Sequence, residues 1–153
     1  MNFRMASNSD IPQLVELRML EQENDWKGQY PIDDKLKEQT RVAFEQMLNK
    51  TLFVWVAEEN EKIVATTAVI PHQYLPQADE VSGKRGYLCN VYTCVQYRRK
   101  GLQKELMKLI TEFARDVLKI ARMDLHASLA PEVFEMYRNA GWQFVTNNAR
   151  LFL

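Results

Sequence analysis

Apolar residues recur along the chain with changing rhythm, and each change marks an element. After a short apolar start from Phe3 to Met5, Ile11, Leu14 and Val15 open a helical stripe that runs to about Gln22. Ser7 and Ser9 can each cap that helix, and Asp10 stands three residues after Ser7, the spacing of a capping box. "ENDWKGQYPIDD" breaks the rhythm with Gly28 and Pro31. Leu36, Thr40, Ala43, Phe44, Met47 and Leu48 restore it as a second helix. "TLFVWVAEENEKIVATTAVI" then reads as a β-hairpin, two apolar, β-branched and aromatic runs around the polar turn Glu59–Glu61.

A polar loop from Pro71 to Gly86 leads to a strand, "YLCNVYT". The helix predicted over 101–118 carries Leu102, Leu106, Leu109, Ile110, Phe113 and Val117 on its inner side. "ARMDLHA" predicts another strand. Pro131 to Ala140 is a short helix with Pro near its start and Gly141 just past its end. "WQFV" and "RLFL" are expected to close the chain as two strands. The order predicts a mixed α/β or α+β domain with a parallel crossover from the 87–93 strand, through the 101–118 helix, to a strand over 123–127.

The length, 153 residues, is that of one domain spanning 1–153. Lys and Arg number 20 and Asp and Glu number 20, so no global field favours nucleic acid or an anionic membrane, and neither is expected as a partner. "MNFRMASNSD" lacks the apolar core of a signal peptide, and no apolar run reaches spanning length. A cytoplasmic protein, monomeric or homodimeric, is expected. Cys89 and Cys94 are separated by an odd number of positions, which on a regular strand points them to opposite faces, unable to pair or share a metal. His126 reads as a structural mid-strand histidine, and His72 follows Pro71 at a strand end. Neither has the spacing of a metal site, so no metal is assigned.

One junction carries candidate chemistry. Arg98, Arg99 and Lys100 precede Gly101, and Lys104 follows within the first helical turn. The helix dipole disfavours cations there, whereas the unpaired N–H groups of the first turn favour an anion. The residues read as an anion site suited to a pyrophosphate; a solvated basic turn is the alternative. Neither G-x-x-x-x-G-K-[ST] nor G-x-G-x-x-G after a strand occurs, so two common phosphate loops are excluded.

"RRKGLQ", after a strand and opening a helix, resembles the [QR]-x-x-G-x-[GA] pyrophosphate loop of the GNAT superfamily of N-acetyltransferases. "LHAS" and "MYRNAGWQFV" resemble that family's later strand and short helix, with Tyr137, Gly141 and Trp142 at the matching positions. The resemblance covers nearly the whole chain. It implies a GNAT-like acyl-CoA N-acyltransferase fold, a mixed central sheet of about six to seven strands flanked by about four helices. The sequence departs from the family at Gln103, where Gly or Ala is preferred, and "SLAPE" lacks the Asn that often contacts the cofactor.

The resemblance implies acetyl-CoA as cosubstrate and direct attack by a primary amine of a small molecule, peptide or protein in a ternary complex. Arg98, Arg99, Lys100, Gly101, Leu102, Gln103 and Lys104 would hold it. Its arm would run beside Val91, Tyr92 and Thr93, where an N–H of Val91 or Tyr92 would face the thioester carbonyl. Tyr137 is the implied acid for the departing thiolate; on residue chemistry alone, a core-packing tyrosine is the better reading. The strand before the loop has no carboxylate, so deprotonation through ordered water is expected, with Asn90 able to position a water. Glu21, Asp25 and Trp26 are candidate acceptor contacts, and Glu23, Asp79 and Glu80 further carboxylates. A non-catalytic acyl-CoA-binding sensor or interaction module is the alternative function.

Overall fold

The computed structural model describes residues 1–127 and 130–145. Five strands form one sheet in chain order: β1 (Asn2–Met5), β2 (Phe53–Glu59), β3 (Lys62–Gln73), β4 (Lys84–Thr93) and β5 (Arg122–Asp124). The first four pair antiparallel, and β5 pairs parallel to β4. The helices are α1 (Ile11–Trp26), α2 (Asp34–Met47), α3 (Leu102–Asp116) and α4 (Pro131–Asn139). The expected parallel crossover is present as β4–α3–β5.

Two cores sandwich the sheet. On one face Leu14 and Leu17 of α1 and Phe44 of α2 pack on Val54, Val56, Ile63 and Ala68. On the other, Met107, Ile110 and Ala114 of α3 and Tyr137 of α4 cover Val69 and Leu88. Leu102 and Leu106 cover Ala57, Val64 and Ala65. Burial of each of the larger aliphatic and Phe side chains is worth roughly 1.5–3 kcal/mol, which is what holds the helices to the sheet. Ser7 and Asp10 form the expected cap: the Ser7 N–H donates to the Asp10 carboxylate at 2.7 Å. Asn60 and Glu61, both with positive φ, make the tight β2–β3 turn.

Several expectations need correction. The α1 helix continues past Gln22 to Trp26 and stops where Lys27 turns left-handed, so "ENDW" is helical. The loop expected over 71–86 shrinks to 74–83, because Pro71, His72 and Gln73 pair with Gly86, Arg85 and Lys84. Gly86 permits this close approach: a Cβ there would lie 2.9 Å from the Val69 side chain. Within α3, Met107 and Ala114 are buried and Val117, just past the helix end, is exposed. The 123–127 strand reduces to Arg122–Asp124. "WQFV" is not a strand. Trp142 instead donates its N–H to the Tyr137 carbonyl at 3.0 Å, and Phe144 packs on Phe134 with centroids 4.4 Å apart. "RLFL" lies outside the described residues, which therefore hold five strands rather than six or seven.

Candidate functional site

β5 accompanies β4 only through the pairs Arg85–Arg122, Gly86–Met123 and Tyr87–Asp124. Beyond Tyr87, β4 runs on to Thr93, and no strand of the described residues pairs with Leu88–Thr93 on that side. A strand edge left in this way offers a row of backbone N–H and C=O groups. An extended amide-bearing arm can pair with such a row by the same bonds that add a strand.

On its other side β4 stays paired with β3, but with one residue in excess. Thr66 faces Tyr92 and Ala68 faces Cys89, so Thr67 alone opposes Asn90 and Val91. This is a β-bulge, which bends and twists the strand just past the point where β5 leaves it. Asn90 takes φ 52°, a left-handed conformation that asparagine tolerates better than most residues. The Thr66 hydroxyl donates to the Asn90 carbonyl at 2.9 Å. The Asn90 side-chain oxygen is buried without a hydrogen-bond partner among the described residues. The extra residue also resets the alternation, so Cys89 and Cys94 both pack in the α1–α2 core instead of on opposite faces.

The strand then feeds the cationic junction through a short helical turn, Val95–Tyr97. Tyr97 anchors it, its hydroxyl donating to Glu59 at 2.8 Å. Arg99 and Gly101 both have positive φ, 61° and 78°. Gly101 occupies the N-cap of α3 with no side-chain cap, and the first bond back to it is from the Glu105 N–H, at 3.3 Å. The amides of Leu102, Gln103 and Lys104 precede that bond and have no acceptor within the helix. None of Arg98, Arg99, Lys100 and Lys104 makes an ion pair with a carboxylate of the described residues. Arg98 bends back over Tyr92, its Nε donating to the Thr93 carbonyl at 3.1 Å. Lys100 lies over the Tyr97 ring, 4.8 Å from its centroid. Unpaired amides and unpaired cations together fit a multiply charged anion.

Gln103 does not turn its side chain toward that junction. Its Oε1 accepts from the Thr67 hydroxyl at 2.6 Å. Its Nε2 lies 3.0 Å from the Thr66 carbonyl, 2.9 Å from the Tyr92 carbonyl and 3.1 Å from Thr93 Oγ1. The first turn of α3 is thereby tied to the bulge.

Across the sheet, the lengthened α1 brings new partners together. Arg18, Glu21, Gln22 and Asp25 fall at i, i+3, i+4 and i+7, one stripe of the helix. Glu21 is buried, with Arg18 Nη1 at 2.6 Å. Burial pushes its carboxyl above the usual range and the Asp25 charge adds to this, while Arg18 opposes. Tyr137 is also buried, edge-on to Trp142 at 5.9 Å. Its phenol is raised by burial first and then by the charges of Glu21 and Asp25, so these three groups share one region. The phenol makes no hydrogen bond to the described residues. Cys89 is pushed up to about 12, chiefly by burial.

The remaining candidates separate. Trp26 stacks edge-on with Tyr30 at 4.9 Å and donates to Gln22 at 3.2 Å. Asp79 pairs with Arg122 at 2.8 Å. Glu80 accepts from the Ser82 N–H at 2.7 Å, so both acids brace the 74–83 loop. His72 lies within β3, stacked on Tyr74. His126 lies past the end of β5, not mid-strand, and its Nδ1 is 2.9 Å from the Tyr87 hydroxyl at the fork between β4 and β5. Arg18 escaped the sequence reading, although its i,i+3 spacing to Glu21 was a usable signal.

The sequence profile of the acetyltransferase (GNAT) family matches residues 12–142. No curated protein sequence matches the chain. Among solved structures, a predicted acetyltransferase of Clostridium acetobutylicum, crystallised with acetyl-CoA, superimposes with a TM-score of 0.86 at 28% identity, covering 99% of this chain and 95% of that one. A GCN5-related N-acetyltransferase of Ralstonia eutropha gives 0.78 at 21% identity over 99% and 97%. An aminoglycoside acetyltransferase from an uncultured soil metagenomic sample, in complex with trehalose, gives 0.72 at 17% over 99% and 94%.

Proposed function

Because the chain belongs to the acetyltransferase (GNAT) family, we propose that it transfers the acetyl group of acetyl-CoA to a primary amine, by direct attack in a ternary complex. One observation carries this reading: the strand edge at Leu88–Thr93 leads, through the turn at Val95–Tyr97, into a helix N-terminus whose first amides have no acceptor within the helix and whose cations make no ion pair with a carboxylate of the described residues. That continuity suits a ligand with an amide-bearing arm at one end and a diphosphate at the other.

The cosubstrate supplies an activated acetyl thioester; the chain supplies the rest. Amides of Leu102–Lys104, with Arg98, Arg99, Lys100 and Lys104, would hold the diphosphate, and Gly101 gives their approach. The edge at Val91–Thr93 would align the arm, with an N–H of Val91 or Tyr92 donating to the carbonyl oxygen as charge develops there. Tyr137 stays protonated well beyond neutral pH, so its hydroxyl can donate a hydrogen bond to the sulfur as the C–S bond breaks and charge builds there. Burial makes it a weaker acid than a thiol of ordinary pKa, about 8.5, so the released thiolate takes its proton from water. Cys89, held protonated, is a poor nucleophile, which favours direct transfer over an acyl-cysteine. Glu21 and Asp25 place carboxylates in the region around Tyr137, suiting an acceptor that arrives as an ammonium ion and gives its proton to ordered water before the free amine attacks, with Asn90 able to position that water.

The test is release of free thiol from acetyl-CoA, followed with a thiol-reactive dye, against spermidine, lysine, a free peptide N-terminus and an aminoglycoside. Amine-dependent release is expected. Tight acetyl-CoA binding without release to any amine would favour the sensor reading, for which the missing carboxylate on β4 is the motivating feature.

A further inference from the structure

Gln103 joins groups that neither a strand nor a helix would hold together. Two hydrogens on its Nε2 serve three oxygens, those of Thr66, Tyr92 and Thr93, so at least one hydrogen is shared. The fourth bond, from the Thr67 hydroxyl, comes from the single residue that opposes the bulge. The Thr66 and Tyr92 carbonyls belong to register partners at the edge of that bulge. The Thr66 carbonyl also accepts from the Thr67 hydroxyl at 2.9 Å, so it is the Tyr92 carbonyl, on the strand that would take the thioester, that loses this amide donor when Gln103 is replaced, and the bulged pair would relax to find another.

Gln103 is also the second residue of α3. Its backbone belongs to the turn that would take the diphosphate, and its side chain grips the strand that would take the thioester. We propose that Gln103 is a positioning residue for acetyl transfer: its carboxamide locks the bulge of β3 and β4 to the first turn of α3, fixing the strand edge relative to the anion site. This rests on the transferase reading above. A displacement near 1 Å between the two ends of a bound substrate can cost ~10²-fold in rate, so a lock of this kind acts on turnover more than on binding. It also accounts for a bulky amide where the family prefers Gly or Ala: the side chain occupies the sheet side, leaving the outer side of the turn open.

Gln103→Ala and Gln103→Met, the second keeping the bulk, separate hydrogen bonding from space filling. Three readouts apply to the full chain: amide hydrogen exchange at Val91–Thr93, acetyl-CoA affinity by calorimetry, and kcat with the fastest amine of the panel above. Both variants are expected to lose about 10- to 100-fold in kcat while acetyl-CoA affinity stays within about 3-fold, with exchange at Val91–Thr93 accelerated. A tenfold loss of affinity at unchanged kcat would make Gln103 a phosphate ligand and overturn the proposal. Unchanged exchange and kcat would overturn it as well, even with a lower melting temperature. Absence of thiol release by the wild type, with any amine, would sink the transferase reading itself and the positioning role along with it.

Discussion

At the scale of single residues, Tyr137 and Glu21 divide the chemistry by proton affinity. Both are raised by burial, with opposite consequences. A raised phenol keeps its proton throughout the working range and can hydrogen-bond the departing sulfur, so Tyr137→Phe is expected to lower kcat by about 10²-fold with little change in the KM for acetyl-CoA. Steady-state kinetics with both substrates varied decides this. A raised carboxyl is charged only above its shifted pKa, so the KM of a cationic acceptor should rise as pH falls through that value. In Glu21→Gln the KM should be about tenfold higher than in the wild type above that shifted value, and nearly flat across the same range. The sequence exposed Tyr137 through its spacing to Gly141 and Trp142, but not the company it keeps. The same holds for Gln103, whose partners Thr66 and Thr67 lie 37 and 36 positions earlier. A six-letter loop motif carries no information about a bulge that distant.

Elements were legible where burial sets a period and opaque where polar residues continue a helix. The stripe of α3 announced itself, and the capping box placed the start of α1. Its end was hidden because "END" is exposed and adds nothing to the apolar stripe, and the stop is a left-handed lysine, not a glycine. The start of α1 is also where acid should act. Arg4 binds the Asp10 carboxylate at 2.7 and 2.9 Å, and its Nε donates to Glu58 at 2.7 Å, joining β1, the cap and β2. The Arg4 bond first, then those from Ser7, lower the Asp10 carboxyl from 3.8 to about 2 against the effect of burial. A depressed carboxyl contributes stability that is complete above its unfolded value and lost as pH falls through the folded one. The window therefore runs from about pH 4 down to about pH 2, and the contribution is on the order of 2 kcal/mol. Denaturant unfolding of Asp10→Asn should show about that loss at neutral pH and a flatter profile through the window.

Over the whole molecule, charge is balanced while the cations of one junction are not. Binding of acetyl-CoA should therefore weaken as salt rises, without any general affinity for polyanions. At about 100 times its dissociation constant the ligand should add roughly 2.7 kcal/mol of stability, a rise of about 5–10 °C in melting temperature. Thermal scans with and without acetyl-CoA check it, and no shift would remove the binding claim. No helix of the described residues is long and apolar enough to cross a membrane. The fork between β4 and β5 was the large-scale feature the sequence did not disclose. "ARMDLHA" has the composition of a full strand, yet only Arg122–Asp124 pairs.

That fork gives the sheet an unfinished seam. Among the described residues no strand pairs with the outer side of Leu88–Thr93, and extended peptides of many sequences can satisfy such an edge. The recess that would guide a thioester is thus also a place where a stray segment, from a crowded lysate or another copy, could lodge. Occupancy by the proper ligand would act as a guard for the fold, and stocks kept with CoA should stay dispersed longer than stocks stripped of it.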